Sequence, residues 1–163
     1  MFYRDTFSAL GQAGIRYLVV GGVAVVLHGF VRATADLDLI VDLERENLLR
    51  FLELLDGRGY RPRVPVAMRD FADQSKRESW VRDKGMKVFS VFHPTRAGEL
   101  IDIFVAEPFP FLEAYARRRS VDAGGVTVSV ASLADLIALK RAAGRPQDLE
   151  DLRALERFQE EGA

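Results

Sequence analysis

Ala35-Asp36-Leu37-Asp38-Leu39-Ile40-Val41 alternates two carboxylates with leucines and then runs on as purely apolar residues. That alternation has the period of a β-strand, with Leu37 and Leu39 toward a core and Asp36 and Asp38 together on the other face. Carboxylates two residues apart along a strand lie about 7 Å from each other and repel unless a positive charge sits between them. A divalent cation meets that need, and an all-oxygen donor set suits magnesium or manganese. A solvated outer face of an edge strand is the competing reading of the same residues.

Upstream of this stretch, Ile15 to Val20 is an apolar, β-branched run that reads as a buried strand. It meets Gly21-Gly22 and then Val23 to His28, a short apolar helix closed by Gly29. Glycines between a strand and a helix let the backbone turn tightly and approach a ligand, and the helix start offers N–H groups to a phosphate. Such turns are also common with no ligand. Arg32 and Thr34, just before Asp36, are types suited to phosphate contact. His28 has a place near this turn and reads either as a substrate contact or as a structural histidine.

Downstream, Asp42 is a candidate N-cap for a helix whose apolar stripe is Leu43, Leu48, Phe51, Leu52 and Leu55. From Arg58 to Lys87 the chain turns basic, with nine Lys/Arg against four Asp/Glu and a helical tendency around Met68 to Arg82. Tyr60, Phe71 and Trp80 in this segment suit either base stacking or packing. Met86–Phe92 and Leu100–Val105 read as strands joined by a turn. The second carries a lone acid, Asp102, which needs a partner, a metal or water. Phe111–Arg118 reads as a helix, the Arg117-Arg118-Arg119 run as its solvated end, and Val126–Val130 as a strand.

Two helices close the chain, one capped by Ser132 and one opened by Pro146. Leu133, Leu136, Ile137 and Lys140 share one helical face, so Lys140 points inward, and Asp148 does so in the last helix. They could pair with each other, or Lys140 could reach a phosphate while Asp148 orients it or Arg145. Strands alternating with helices, then helices gathered at the end, predict an α/β (α+β) sheet with a C-terminal helical pair.

The order of strand, Gly-Gly, short helix, Asp-x-Asp strand and a strand with one Asp resembles the nucleotidyltransferase (polymerase beta-like) superfamily. Within it, the chain resembles small bacterial abortive-infection, type IV toxin–antitoxin nucleotidyltransferases. The matching residues are Val20-Gly21-Gly22, His28-Gly29, Arg32, Thr34, Asp36, Asp38 and Ile101-Asp102-Ile103, with Asp135, Lys140, Gly144-Arg145, Asp148 and Asp151 supporting the closer likeness. Gly-Gly replaces the Gly-Ser frequent in that superfamily.

The resemblance implies a nucleotidyltransferase-type mixed sheet flanked by helices, in a single domain over residues 1–163, with the sheet core and active site in 1–108 and a mostly helical part in 109–163. It implies Asp36, Asp38 and Asp102 as catalytic, metal-binding acids for Mg2+ or Mn2+. Gly21, Gly22, Arg32, Thr34, Lys140 and Asp148 become the nucleotide-binding set. The implied reaction moves a nucleoside monophosphate from a triphosphate to a hydroxyl of a transfer RNA end, a protein or a small molecule, with an antitoxin protein as an expected partner. A catalytically silent nucleotide-binding protein and an RNA-binding scaffold using Arg58 to Lys87 are the alternatives.

Composition sets the outer limits. The chain of 163 residues is 48% hydrophobic and 29% charged, with a net charge of −1. That excludes a strongly basic nucleic-acid coat. The absence of cysteine excludes disulfides, thiolate metal sites and cysteine nucleophiles, and two histidines, His28 and His93, exclude a multi-histidine centre. The longest apolar stretch, Tyr17 to Leu27, holds two glycines and is too short for a bilayer. A cytoplasmic, membrane-free protein is therefore expected.

Overall fold

The fold is built around one mixed sheet, seen in a computed structural model that describes residues 3–161. Its strands are β1 (Tyr17–Val20), β2 (Leu37–Val41), β3 (Arg61–Pro62), β4 (Val88–Phe92), β5 (Leu100–Phe104), β6 (Arg119–Ala123) and β7 (Val126–Val130). They lie in the order β3-β4-β5-β2-β1-β7-β6. β2 runs parallel to β5 and β1 parallel to β7, while the remaining neighbours are antiparallel. The helices are α1 (Arg4–Gln12), α2 (Gly21–Leu27), α3 (Arg45–Gly57), α4 (Gln74–Lys84), α5 (Phe111–Ala116), α6 (Leu133–Ala143) and α7 (Pro146–Glu160).

The central strands alternate as their sequences demand. Leu37 and Leu39 on β2, Ile101 and Ile103 on β5, and Phe89 and Val91 on β4 are buried. Phe7 and Leu10 of α1 and Leu48, Phe51 and Leu55 of α3 join the same core. The opposite register of β2, β5 and β4 carries Asp38, Asp102 and Ser90. A slip of one residue would bury all three, so the apolar pattern itself fixes which face is polar.

Several local readings change. Asp42 is not the cap of α3. Glu44 caps it, accepting from the N–H groups of Glu46 and Asn47. Asp42 instead binds Arg16 Nε at 2.7 Å, and the Asn47 amide donates to the Asp42 carbonyl, so the chain turns before the helix starts. The helix after β1 begins at Gly21, not Val23. Tyr60, Phe71 and Trp80 are buried, and Phe71 and Trp80 pack on Phe89. They are core residues with no face left for a base.

The Arg117-Arg118-Arg119 run is not a solvated helix end. α5 stops at Ala116 and Arg119 opens β6, which forms a hairpin with β7 around Gly124-Gly125. Because β7 pairs with β1, the sheet continues past residue 108. His28 is structural: 5% exposed, it takes a hydrogen from Arg119 and donates through Nε2 to the Ala131 carbonyl at 2.9 Å. Burial lowers its pKa, which keeps the ring neutral.

Candidate active site

β1, β2, β5 and β4 bring the acids to one place. Asp38 is the register partner of Val20 on one side and of Asp102 on the other, and Asp102 pairs with Ser90. Neighbouring strands lie about 4.8 Å apart, so the two carboxylates stand side by side on one face of the sheet. Ser90 Oγ donates to Asp102 Oδ1 at 2.5 Å, which holds that carboxylate in a single orientation.

β2 begins at Leu37, so Asp36 lies just ahead of the strand and is exposed, not paired within it. On the β1 side its register neighbour would be Gly22, which already belongs to α2. Its charge still acts on Asp38. Burial, then Asp102, then Asp36 push the Asp38 carboxyl up to about 7, while Lys140 and Arg145 act in the opposite direction. Burial of Asp38 beside two other carboxylates is the cause, and a cation would relieve it.

The glycine pair is fitted to this site atom by atom. Gly21 has φ +69, and a Cβ there would lie 2.1 Å from Asp38 Oδ2. A Cβ on Gly22 would lie 2.6 Å from Thr34 Oγ1 and 3.0 Å from an Arg32 guanidinium nitrogen. Gly21, Gly22, Arg32, Thr34 and Asp38 therefore form one contiguous surface, with no room for a side chain at either glycine.

The inward lysine and aspartate pair with each other. Lys140 Nζ lies 3.3 Å from Asp148 Oδ1 and 3.0 Å from Asp151 Oδ2. Asp151 Oδ2 also accepts from Arg32 at 2.6 Å, and Arg145 Nε donates to Asp148 Oδ2 at 2.7 Å. Burial alone would raise the Asp148 carboxyl, but Arg145 and Lys140 hold it below its usual value. The chain Arg32–Asp151–Lys140–Asp148–Arg145 thus ties α6 and α7 to the loop that carries Thr34 and Asp36.

Ser90 is a site residue that the sequence pattern does not single out. It occupies the outward position of Val88-Phe89-Ser90-Val91-Phe92, and only the β4–β5 register aims it at Asp102.

The donor chemistry of Asp38 and Asp102, carboxylate oxygens side by side, fits a hard divalent cation. Among the described residues, no group of three or more His, Cys, Asp or Glu side chains is placed to hold a metal ion. Magnesium needs none, since it usually takes one or two carboxylates and completes its shell with substrate phosphates and water. Among the described residues no helix is long and apolar enough to cross a membrane.

A sheet of this topology, with acids on adjacent strands facing a glycine turn, is the frame of a nucleotidyltransferase. The chain belongs to the family described as "Nucleotidyltransferase of unknown function (DUF6036)", whose model matches residues 8–159. No curated protein matches it significantly. Solved structures with the same fold include a Thermotoga maritima protein assigned as a nucleotidyltransferase. It is 16% identical with a TM-score of 0.58, and the match covers 95% of this chain and 90% of that one. The lincosamide antibiotic adenylyltransferase LnuA, bound to lincomycin, is 14% identical with a TM-score of 0.62, over 93% of this chain and 92% of that one. ANT(2'')-Ia in complex with adenylyl-2''-tobramycin is 17% identical with a TM-score of 0.57, over 90% and 81%.

Proposed function

We propose that this protein is a magnesium-dependent nucleotidyltransferase that moves a nucleoside monophosphate from a triphosphate to a hydroxyl of a small molecule. The observation that carries this reading is the in-register pair Asp38–Asp102, with Asp38 packed against the bare backbone of Gly21. The two antibiotic adenylyltransferases of the same fold support a small hydroxylated acceptor.

Asp36, Asp38 and Asp102 would hold the cation. When bound, it offsets the phosphate charge and polarises the reacting oxygens. Gly21 and Gly22, at the turn into α2, would meet the triphosphate with backbone N–H groups, while Asp38, Thr34 and Arg32 fill the space that a side chain would take. Arg32 and Thr34, lying against Gly22, supply charge and a hydroxyl donor to the phosphates. Lys140 and Arg145 keep positive potential beside Asp38 and offset charge growing on the departing pyrophosphate.

The acceptor oxygen forms a bond to the α-phosphorus, and the bond from that phosphorus to the bridging oxygen of the β-phosphate breaks. Asp102 Oδ1 is engaged by Ser90, which leaves Oδ2 to take the acceptor proton. The products are the nucleotidylated acceptor and pyrophosphate.

The test supplies purified protein with magnesium and each of four nucleoside triphosphates labelled at the α-phosphate. Aminocyclitol and lincosamide hydroxyl compounds, transfer RNA and cell protein serve as acceptors. Label on a small molecule is expected. Label on RNA or protein would move the reading to the toxin-like acceptors, and no label with magnesium and any acceptor would refute transfer.

A further inference from the structure

The reaction site is braced from outside the stretch that the family model covers. Tyr3 precedes α1, five residues before the match begins at residue 8. Its phenol oxygen lies 2.7 Å from the Ala35 carbonyl, 3.0 Å from the Leu100 carbonyl and 3.1 Å from the Leu100 N–H. A phenol has one proton, so it donates along the shortest contact, to Ala35, and accepts from Leu100 N–H. Ala35 is joined directly to Asp36, and Leu100 stands two residues before Asp102 in β5. One hydroxyl therefore spans the two backbone segments that carry two of the three acids.

Two further observations show how firmly this contact is built. Tyr3 has φ 66, and among the described residues it is the sole non-glycine residue with positive φ. A bulky side chain tolerates that conformation only where surrounding contacts hold it there. A second tether, through Tyr60, grips Glu99, the residue before Leu100: Thr6 Oγ1 lies 3.2 Å from the Tyr60 hydroxyl, which donates to Glu99 Oε2 at 2.8 Å. The start of α1 is thereby fixed to the entry of β5 at two successive residues. Tyr3 is 5% exposed, and burial raises its phenol pKa, which favours the protonated, donating form.

We infer that Tyr3 is a positioning residue for nucleotidyl transfer, its hydroxyl setting the separation of Asp36 and Asp102 by holding Ala35 and Leu100 together. The inference rests on the transfer reading above. The acids themselves are supplied by the strands, but strand pairing alone does not fix Asp36, which lies ahead of β2 and has no pairing partner in the sheet. Tyr3 acts through that segment and does not touch substrate.

The test is Tyr3→Phe in the full chain, compared with Arg4→Ala. Arg4 donates to the Gly124 carbonyl at 3.1 and 3.0 Å, so its loss loosens α1 at a point away from the acids. For Tyr3→Phe, kcat should fall about 10- to 100-fold with the nucleotide KM within about two-fold of wild type, as expected when reacting groups are displaced by a fraction of an ångström. Amide hydrogen exchange should quicken over 35–38 and 100–102 while the α3 amides remain protected. Arg4→Ala should do neither. An active wild type beside a Tyr3→Phe variant of equal kcat would overturn the positioning role alone. An equal fall in both variants would also overturn it, since it would mark a general loosening of α1. A wild type that transfers no label would overturn the transfer reading and the positioning role with it.

Discussion

Gly21 and Asp38 share one small volume: a Cβ on residue 21 would stand 2.1 Å from Asp38 Oδ2. The glycine is thus part of the acid's binding surface, and Gly21→Ala must displace the carboxylate. The left-handed backbone adds about 1–2 kcal/mol of strain for an L side chain. We expect a folded protein with a slightly lower Tm and transfer reduced about 100-fold or more. Melting curves and labelled turnover on the same sample check both parts, and wild-type turnover would detach Gly21 from the site.

Asp38 gives the metal-free protein a distinctive pH dependence. Its carboxyl is raised from 3.8 to about 7, so between those values the folded chain holds a proton that the unfolded chain has lost. Stability from this group is complete below pH about 4 and is lost as pH rises through 7. Asp38→Asn removes the burden of the charge. At pH 8 in the presence of chelator it should therefore be more stable than wild type, by at most about 4 kcal/mol at 1.4 kcal/mol per unit. The advantage should vanish at pH 4. Denaturant curves at the two pH values measure it, and parallel pH profiles would contradict the raised pKa.

Lys140 sits between Asp148 and Asp151, all three nearly inaccessible to water. Removing one partner of a buried ion network leaves uncompensated charge. Lys140→Met should therefore cost about 3–5 kcal/mol in stability. It should also loosen Arg32, which shares Asp151 Oδ2, and so weaken triphosphate binding. Calorimetry with a non-hydrolysable nucleotide tests the second effect in conditions where the variant is folded.

Ser90→Ala removes the donor to Asp102 Oδ1 and changes nothing in the core, since Ser90 faces the acid side of β4. The Asp102 carboxylate gains rotational freedom. A fall in kcat of about ten-fold with little change in Tm is expected, and Ser90→Thr, which keeps the hydroxyl, should recover most of it.

The sheet centre was legible because β1, β2, β4 and β5 are short apolar or alternating runs with unambiguous period. The acids were legible for the same reason: Asp38 and Asp102 interrupt apolar strands where a charge is costly. β6 was hidden because Arg117-Arg118-Arg119 resembles a basic helix end and Ser120 to Ala123 has few apolar residues. The Gly124-Gly125 pair between it and β7 was the available hairpin signal. Asp42 misled as a cap because Arg16, far upstream, claims its carboxylate. Tertiary partners were the illegible part. Ser90 and Asp102 meet only through register, and Arg32 and Asp151 are 119 residues apart. Inward-facing Lys140 and Asp148 could be read from helical spacing, but their mutual pairing could not.

The most direct measurement of the central claim compares wild type with an Asp36→Ala/Asp38→Ala double variant, using α-labelled triphosphate, magnesium and the acceptor panel. Label transfer and pyrophosphate release are expected from wild type alone, both abolished by chelator, with the variant folded. Transfer by the variant at the wild-type rate would contradict the assignment of these acids.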